Sequence, residues 1–169
     1  MTIVEWIDLF TRKEQRQIMI DSIRYCQQNK GLVIYAWCLM PSHLHMICQS
    51  ESENSLSDIL RDLKKFTAKT IIKQINDEPE SRKEWMLSAF SKACDHLKRK
   101  QTYKVWQDGN HAEEISSNEF LWQKLAYIHN NPVEAQIVVK PEDYYFSSAR
   151  NYAELDGCLD VVLVSRKLN

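Results

Sequence analysis

The stretch from residue 32 to residue 49, LVIYAWCLMPSHLHMICQ, constrains the fold more than any other part of this sequence. Leu32 to Met40 is apolar and rich in aromatic and β-branched residues, which is typical of a buried strand. Pro41 and Ser42 interrupt this run, and residues 43–49 have the composition of a second strand. Strands this close in sequence pair as an antiparallel hairpin, because a parallel pair needs a much longer connection.

Helices account for most of the remaining chain, because three glycines and four prolines in 169 residues are too few for a turn-rich all-β fold. Capping residues at Thr11, at Ser55 or Ser57, and at Ser116 precede apolar residues at helical spacing and predict helices over about 11–30, 55–75 and 116–131. Pro79 predicts the start of a further helix over about 80–100. Short strands are expected over 2–10, between 101 and 114, and over 159–164. This order predicts one α+β domain over residues 1–169, with a ferredoxin-like antiparallel sheet and helices packed mainly on one face.

Composition narrows the functional classes. The net charge of −1 is not that of a typical nucleic-acid-binding protein, so any contact with DNA must depend on local basic patches. Five cysteines without a CxxC pair indicate reduced thiols in the cytoplasm rather than a disulfide framework. No apolar run approaches the length of a membrane span, and the N-terminus lacks the pattern of a secretory signal, so we expect no membrane partner.

The histidines of the predicted hairpin, His43 and His45, are the first candidate site. Side chains two residues apart on a strand point to the same face, with Cβ atoms roughly 6.5–7 Å apart, so both rings can reach one ion. Two imidazoles are an incomplete ligand set with exchangeable water positions, which suits Mg²⁺ or Mn²⁺ better than structural zinc. The alternative is two histidines on the wet face of an edge strand, and spacing alone favours that alternative.

The second candidate site is the end of the last long predicted helix, which carries YIHNNP. Tyr127 falls off the apolar stripe of this helix, and Asn131 lies one turn later on the same face. Taken alone, Asn-Asn-Pro is a helix stop, because Asn tolerates a left-handed cap and Pro blocks continuation. Tyr127 taken alone is a half-buried aromatic residue.

Five segments, in order, resemble the REP-associated tyrosine transposases, a branch of the single-tyrosine HUH transposases of the IS200-like type. They are AWCLMPSHLHMI, LKKFTAKTI, WQDGNH, YIHNNPVEAQIV and PEDYYFSSARNY, and the resemblance runs from about Trp6 to Tyr152. An HxH pair alone is unspecific, whereas five ordered motifs at family-like spacing are strong. In that family the first strand usually begins further upstream, so we expect a shortened first strand here.

The resemblance implies a chemistry and assigns residues to it. His43 and His45 match the two metal-binding histidines, with Leu44 as the bulky residue between them, and Asn131 matches a third amide ligand. Tyr127 matches the nucleophile that forms a 5′-phosphotyrosine bond with single-stranded DNA at hairpin-forming repeats. The resemblance also implies the ferredoxin-like fold, and it leaves both a monomer and a homodimer open.

The local basic patches then become candidate DNA contacts. Lys64, Lys65 and Lys69 lie opposite much of the apolar stripe of the second predicted helix, and Arg99 belongs to a basic cluster near aromatic residues. Each cluster alone is more simply a solvated helix face, and the resemblance favours DNA for Lys64 and Lys65. Trp106, Asn110 and His111 lie in a turn expected near the site, where they shape the substrate pocket or simply pack.

Two other functions remain open from the sequence. The first is a DNA-binding module that keeps this fold and no longer cleaves. The second is a metal-dependent phosphoesterase that acts on RNA or small molecules and would not need Tyr127.

Overall fold

The hairpin predicted from residues 32–49 is the centre of the fold. The computed structural model describes residues 1–95 and 101–165, so the prediction for Arg99 lies outside the described residues. Strand β1, Leu32–Leu39, pairs antiparallel with strand β2, Leu44–Ser50. These two strands form the regular sheet of the described part of the chain, with a bulge between Ile34 and Ala36.

The long helices also form close to where the sequence predicts them. Their bounds are α1 Lys13–Lys30, α2 Leu56–Asp77, α3 Lys83–Lys92, α4 Asn118–Glu134 and the short α5 Ala149–Tyr152. Helix α1 ends at Gly31, which adopts the left-handed conformation with φ 72° that glycine allows at low cost. None of the described helices is both long enough and apolar enough to cross a membrane.

Capping was predicted correctly for one helix and incorrectly for two others. The Ser55 hydroxyl accepts a hydrogen bond from the Asp58 amide at 3.1 Å and caps α2 as predicted. Helix α1 has no side-chain cap, because the Thr11 hydroxyl donates to the Asp8 carbonyl instead. Helix α4 is capped by Ser117, one residue after the serine that the sequence favoured.

The strand predicted over residues 2–10 is wrong beyond its first residues. Only Thr2 and Ile3 make β-bridges, to His43 and Trp106, and short 3-10 turns follow. The chain bends back because the Phe10 amide donates to the Pro41 carbonyl at 2.8 Å. The strand predicted over residues 159–164, all of which the structure describes, does not form. This segment instead runs past the edge of β1, where the Val162 amide donates to the Ile34 carbonyl at 2.9 Å.

One face of the hairpin builds the main core. Trp37 and Leu39 of β1 and Leu44 of β2 are fully buried there with apolar residues of α1, α2 and α3. Helices α1 and α2 pack side by side across this face. Burial of such large apolar side chains is the dominant stabilising contribution in a domain of this kind.

The other face of the hairpin is covered by α4. Cys38 and Ile47 are buried there with Leu125 and Ile128 of α4. His45 pairs directly with Cys38, and opposed residues of an antiparallel pair share a face, so His45 also points toward α4. The α+β fold with an antiparallel sheet and most helices on one face is therefore confirmed, and α4 on the second face is the element that meets the histidines.

A buried carboxylate ties the helices of the main core together. Glu80, between α2 and α3, pairs with Arg12 at 3.2 Å and with Arg82 at 3.1 Å, and its side chain is fully buried. Burial alone would raise the pKa of Glu80, but the hydrogen bonds and charge of Arg82 and the charge of Arg12 outweigh burial and hold its pKa below the ordinary value of 4.5.

We expect Glu80→Gln to lower the free energy of unfolding at pH 7 by about 2 kcal/mol, because two arginines lose a buried partner. A carboxylate with a lowered folded-state pKa stabilises the fold above its ordinary pKa, and this contribution is lost as pH falls through the folded-state pKa. Urea unfolding at pH 7 and at about pH 3 measures both effects. The difference between wild type and variant should shrink at the lower pH, and an equal difference at both would contradict this role.

Candidate active site

The two histidines of the hairpin lie side by side on the α4 face. Their ring centroids are 4.7 Å apart with an interplanar angle of 86°. His43 Nδ1 lies 3.1 Å from the Ser42 hydroxyl, which fixes the orientation of that ring. His43 also sits at the β-bridge with Thr2, so its backbone is held on both sides. The geometry inferred from the i, i+2 spacing is thus present.

Both imidazoles are held in the neutral form. Burial and the nearby N-terminal ammonium lower the pKa of His43. Burial first, and then the repulsion that a protonated His43 or the N-terminus would exert, lower the pKa of His45 to about 4. A metal ion binds the neutral imidazole, so this electrostatic environment favours the form that a ligand needs.

Helix α4 brings Tyr127 to the histidines. Leu125 and Ile128 are buried against the sheet and fix the rotation of the helix. Tyr127 then lies at its edge, 56% exposed, with its ring centroid 5.4 Å from that of His45. The structure therefore unites two sites that are more than eighty residues apart in the sequence.

Asn131 completes the group from the next turn of α4. Its side-chain Nδ2 donates to the Tyr127 carbonyl at 2.7 Å. A carbonyl oxygen can only accept, so the amide orientation is determined and the Asn131 Oδ1 stays free of this bond. The Asn131 side chain also interacts with His45 and partly offsets the lowering of its pKa. The helix continues through Pro132 to Glu134, so Asn131 is not the stop that the sequence alone suggested.

The residues present fit a weakly held divalent ion. His45 Nε2 is buried and has no hydrogen-bond partner among the residues that the structure describes, which is costly unless another group occupies that position. Within the described ranges no three His, Cys, Asp or Glu side chains cluster as metal ligands. The donors that this site could offer are two imidazoles and one amide oxygen, a set that differs from a closed structural zinc site and suits Mg²⁺ or Mn²⁺.

Two further side chains at this site were missed by the sequence analysis. Trp6 packs edge-on against His43, with ring centroids 5.3 Å apart, and it was hidden inside the predicted first strand. Lys124 lies one turn before Tyr127, pairs with Glu113, and its charge helps to lower the pKa of His45. Residues three apart on a helix are neighbours, so the spacing of Lys124 and Tyr127 could have indicated that Lys124 lies near the site.

Lys64 supports a loop instead of facing solvent. Its Nζ donates to the Gln107 carbonyl at 3.0 Å and to the Gly109 carbonyl at 2.6 Å, and burial lowers its pKa. The Gln107 amide in turn donates to the Thr2 carbonyl at 2.8 Å. Lys64 thus fixes the loop that holds the N-terminal segment beside His43, and its direct contact with DNA stays a prediction.

Trp106 is a core residue. Its side chain is 6% exposed, its indole N–H donates to the Thr67 hydroxyl at 3.1 Å, and its ring packs near Phe10. A ring enclosed in this way cannot stack on a base, so the DNA contact predicted for Trp106 is corrected to a packing role.

The other predicted DNA contacts lie at or near the surface. Lys65 and Lys69 are exposed on α2 one turn apart. His111 is exposed in a left-handed conformation with φ 47°. Asn110 has a buried Oδ1 without a partner among the described residues. Lys65, Lys69 and His111 are thus accessible to DNA, and Asn110 has an acceptor oxygen that no described residue satisfies.

Tyr127 also borders a cavity. The cavity has a volume of about 700 Å³ and lies between α4 and residues 141–153. Gln123, Asn130 and Glu142 contribute polar groups to its lining, and its volume falls in the range of small-molecule sites. Tyr127 thus contacts His45 and also lines this open groove.

Comparison with known proteins is consistent with this arrangement. The sequence profile of the family described as transposase IS200 like matches residues 7–96, which include both histidines. Among solved structures, a REP-associated tyrosine transposase bound to a REP hairpin has a similar fold, with a TM-score of 0.61 and 21% identity over 99% of this chain and 85% of that chain. No protein of curated function matches.

Proposed function

Because the chain belongs to the IS200-like transposase family, we propose that it is a divalent-metal-dependent endonuclease and strand transferase acting on single-stranded, hairpin-forming DNA. The observation that carries this proposal is the proximity of the exposed Tyr127 ring to His45, at 5.4 Å between centroids. A nucleophile beside a ligand pair, on a rigid helix and a rigid strand, is the arrangement that phosphoryl transfer to a side chain needs.

We assign His43, His45 and Asn131 as the residues that would hold Mg²⁺ or Mn²⁺. When bound, such an ion supplies polarisation of the scissile phosphate and stabilises the charge that develops on it. The hairpin and α4 hold the three donor groups in place before DNA arrives, since His43 is bonded to Ser42 and Asn131 to the Tyr127 carbonyl. This preorganisation limits the conformational cost of binding.

Tyr127 is the proposed nucleophile. Its Oη attacks the phosphorus of a DNA phosphodiester and loses its proton to solvent, the bond from phosphorus to the 3′-oxygen breaks, and the departing 3′-oxygen takes up a proton from solvent. The products are a 5′-phosphotyrosine bond and a free 3′-hydroxyl group. The covalent intermediate keeps the phosphoester energy, so a second strand can be joined without ATP.

DNA binding is assigned to local groups, because the net charge is −1. Lys65 and Lys69 would contact phosphates from α2, and Asn110 and His111 would contact the substrate from the loop that Lys64 fixes. The similar structure is bound to a REP hairpin, and this supports hairpin DNA as the substrate class here.

All five cysteines are free, which is consistent with a cytoplasmic protein. A homodimer stays open.

The direct test is incubation of the protein with end-labelled hairpin DNA carrying single-stranded flanks, in Mn²⁺ or Mg²⁺, followed by a denaturing gel. We expect a slowly migrating protein–DNA band that is absent when EDTA is added, because the proposed transfer leaves DNA covalently attached. Binding of the hairpin without any covalent band would instead identify a non-cleaving DNA-binding module of the same fold. A fully duplex oligonucleotide of equal length serves as the substrate control.

A further inference from the structure

Residues 5 and 6 adopt a backbone conformation that their side chains disfavour. Glu5 has φ 54° and Trp6 has φ 54°, and both are left-handed, which is uncommon for bulky L residues. The segment is forced into this shape by its surroundings. Val4 and Ile7 are buried on either side, and the Val4 amide donates to the Val105 carbonyl at 3.0 Å. Strain of this kind persists where the rest of the fold over-determines it, often at functional sites.

The strained turn projects Trp6 out of the protein at the histidines. The side chain is 60% exposed although Val4 and Ile7 beside it are buried, and its ring lies edge-on to His43 with an interplanar angle of 75°. Trp6, His43, His45 and Tyr127 thus form a continuous row of ring contacts with centroid spacings of 5.3, 4.7 and 5.4 Å. The exposed tryptophan contacts His43 and the phenol ring contacts His45, so the two aromatic side chains flank the histidine pair.

We propose that Trp6 forms a base-binding site, in which its indole stacks on an unpaired nucleobase close to the scissile phosphate. This inference rests on the proposed function. If the phosphate lies at His43 and His45 within reach of Tyr127, DNA that leaves the site past His43 passes Trp6. Stacking on a rigid exposed indole would hold that nucleotide in single-stranded form and set which bond faces the phenol.

The features of the turn favour a nucleobase as the ligand. Every base has a π-face, so a single exposed indole can hold it without a surrounding pocket. A base-paired stem cannot offer that face, because its bases are already stacked. The site therefore distinguishes the single-stranded flank of a hairpin from its stem.

The test uses the full-length chain with Tyr127→Phe as background, so that no DNA is cleaved during binding. The fluorescent base 2-aminopurine is placed at successive positions of the single-stranded flank, and the quenching at each position is recorded with Trp6 and with Trp6→Ala. We expect one or two adjacent positions to be quenched and to recover in Trp6→Ala. Affinity for the flanked hairpin should fall at least about fivefold, with an unchanged dependence on salt, because no phosphate contact is removed.

Three controls separate stacking from other roles. Trp6→Phe should keep most of the affinity, because a phenyl ring can still stack on a base. Trp85→Ala, which removes a 49% exposed tryptophan of α3, should change neither quenching nor affinity. Affinity for the blunt stem alone should be equal in all variants. The inference is overturned if Trp6→Ala leaves the quenching unchanged at every position. The covalent assay on the wild-type chain tests the proposed function separately.

Discussion

Replacing Tyr127 by Phe abolishes the covalent protein–DNA band and lowers the cleavage rate at least about 10³-fold, while affinity for the hairpin stays within about twofold. The substitution removes one oxygen from a ring that is 56% exposed. Helix α4 is anchored through Leu125 and Ile128, which this change does not touch, so the fold and the DNA surface are kept. Single-turnover cleavage on a denaturing gel and a filter-binding titration measure the two quantities.

Tyr25→Phe is the matched control, because Tyr25 of α1 is equally exposed and belongs to a helix that packs on the other face of the hairpin. It should cleave at the wild-type rate. Cleavage that survives in Tyr127→Phe would contradict the nucleophile assignment and favour the metal-dependent phosphoesterase, in which water attacks.

Replacing His43 by Ala should reduce cleavage about 10²- to 10³-fold and hairpin binding far less, because it removes one of the donor groups that would hold the ion. His43 is half-buried and bonded to Ser42, with its backbone held by Thr2, so its loss does not remove a core side chain. Raising the Mn²⁺ concentration should restore part of the activity, since an incomplete ligand set binds the ion more weakly. Cleavage rates over a Mn²⁺ titration measure the effect.

Gln49→Ala offers the control on the same strand, because Gln49 is an exposed residue at the far end of β2. Its metal dependence should equal that of the wild type. The metal assignment would be wrong if His43→Ala cleaved at the wild-type rate in the presence of a chelator.

The parts of the fold that the sequence predicts correctly are those set by local patterns. The hairpin follows from an apolar run, a Pro-Ser break and a second run, and the shared face of His43 and His45 follows from the period of two along a strand. The register that pairs His45 with Cys38 then aims both rings at α4. These are short-range constraints, so one sequence is enough to infer them.

Two of the residues predicted to contact DNA have hydrogen-bond partners that are distant in the chain. Trp106 reads as an exposed aromatic residue beside basic side chains, but its indole finds the Thr67 hydroxyl 39 positions away. Lys64 lies opposite much of the apolar stripe of α2, but its ammonium reaches the carbonyls of the 107–109 loop. Periodicity cannot show such partners, because it describes only the face on which a residue lies.

The conformation of Trp6 is also set by partners that are distant in the chain. A short apolar run predicts a strand there. The left-handed residues Glu5 and Trp6 instead follow Val4, whose amide donates to the Val105 carbonyl about a hundred residues away in the chain. The meeting of Tyr127 with His45 is also a tertiary feature. Sequence reasoning reached Tyr127 only through the resemblance to the transposases, since neither its spacing nor its neighbours distinguish it from a half-buried aromatic residue.

The most direct test of the account is to identify the amino acid that carries DNA after the reaction. The covalent product made with Mn²⁺ is digested with nuclease and trypsin, and the peptides that bear nucleotides are sequenced by mass spectrometry. Trypsin does not cleave before Pro141, so the tryptic peptide runs from Leu125 to Arg150 and contains Tyr127, Tyr144 and Tyr145. Fragmentation of the peptide separates Tyr127 from the other two, which lie 17 and 18 residues later. The account predicts a nucleotide linked through phosphate to Tyr127 in that peptide, and a nucleotide on any other residue would contradict it.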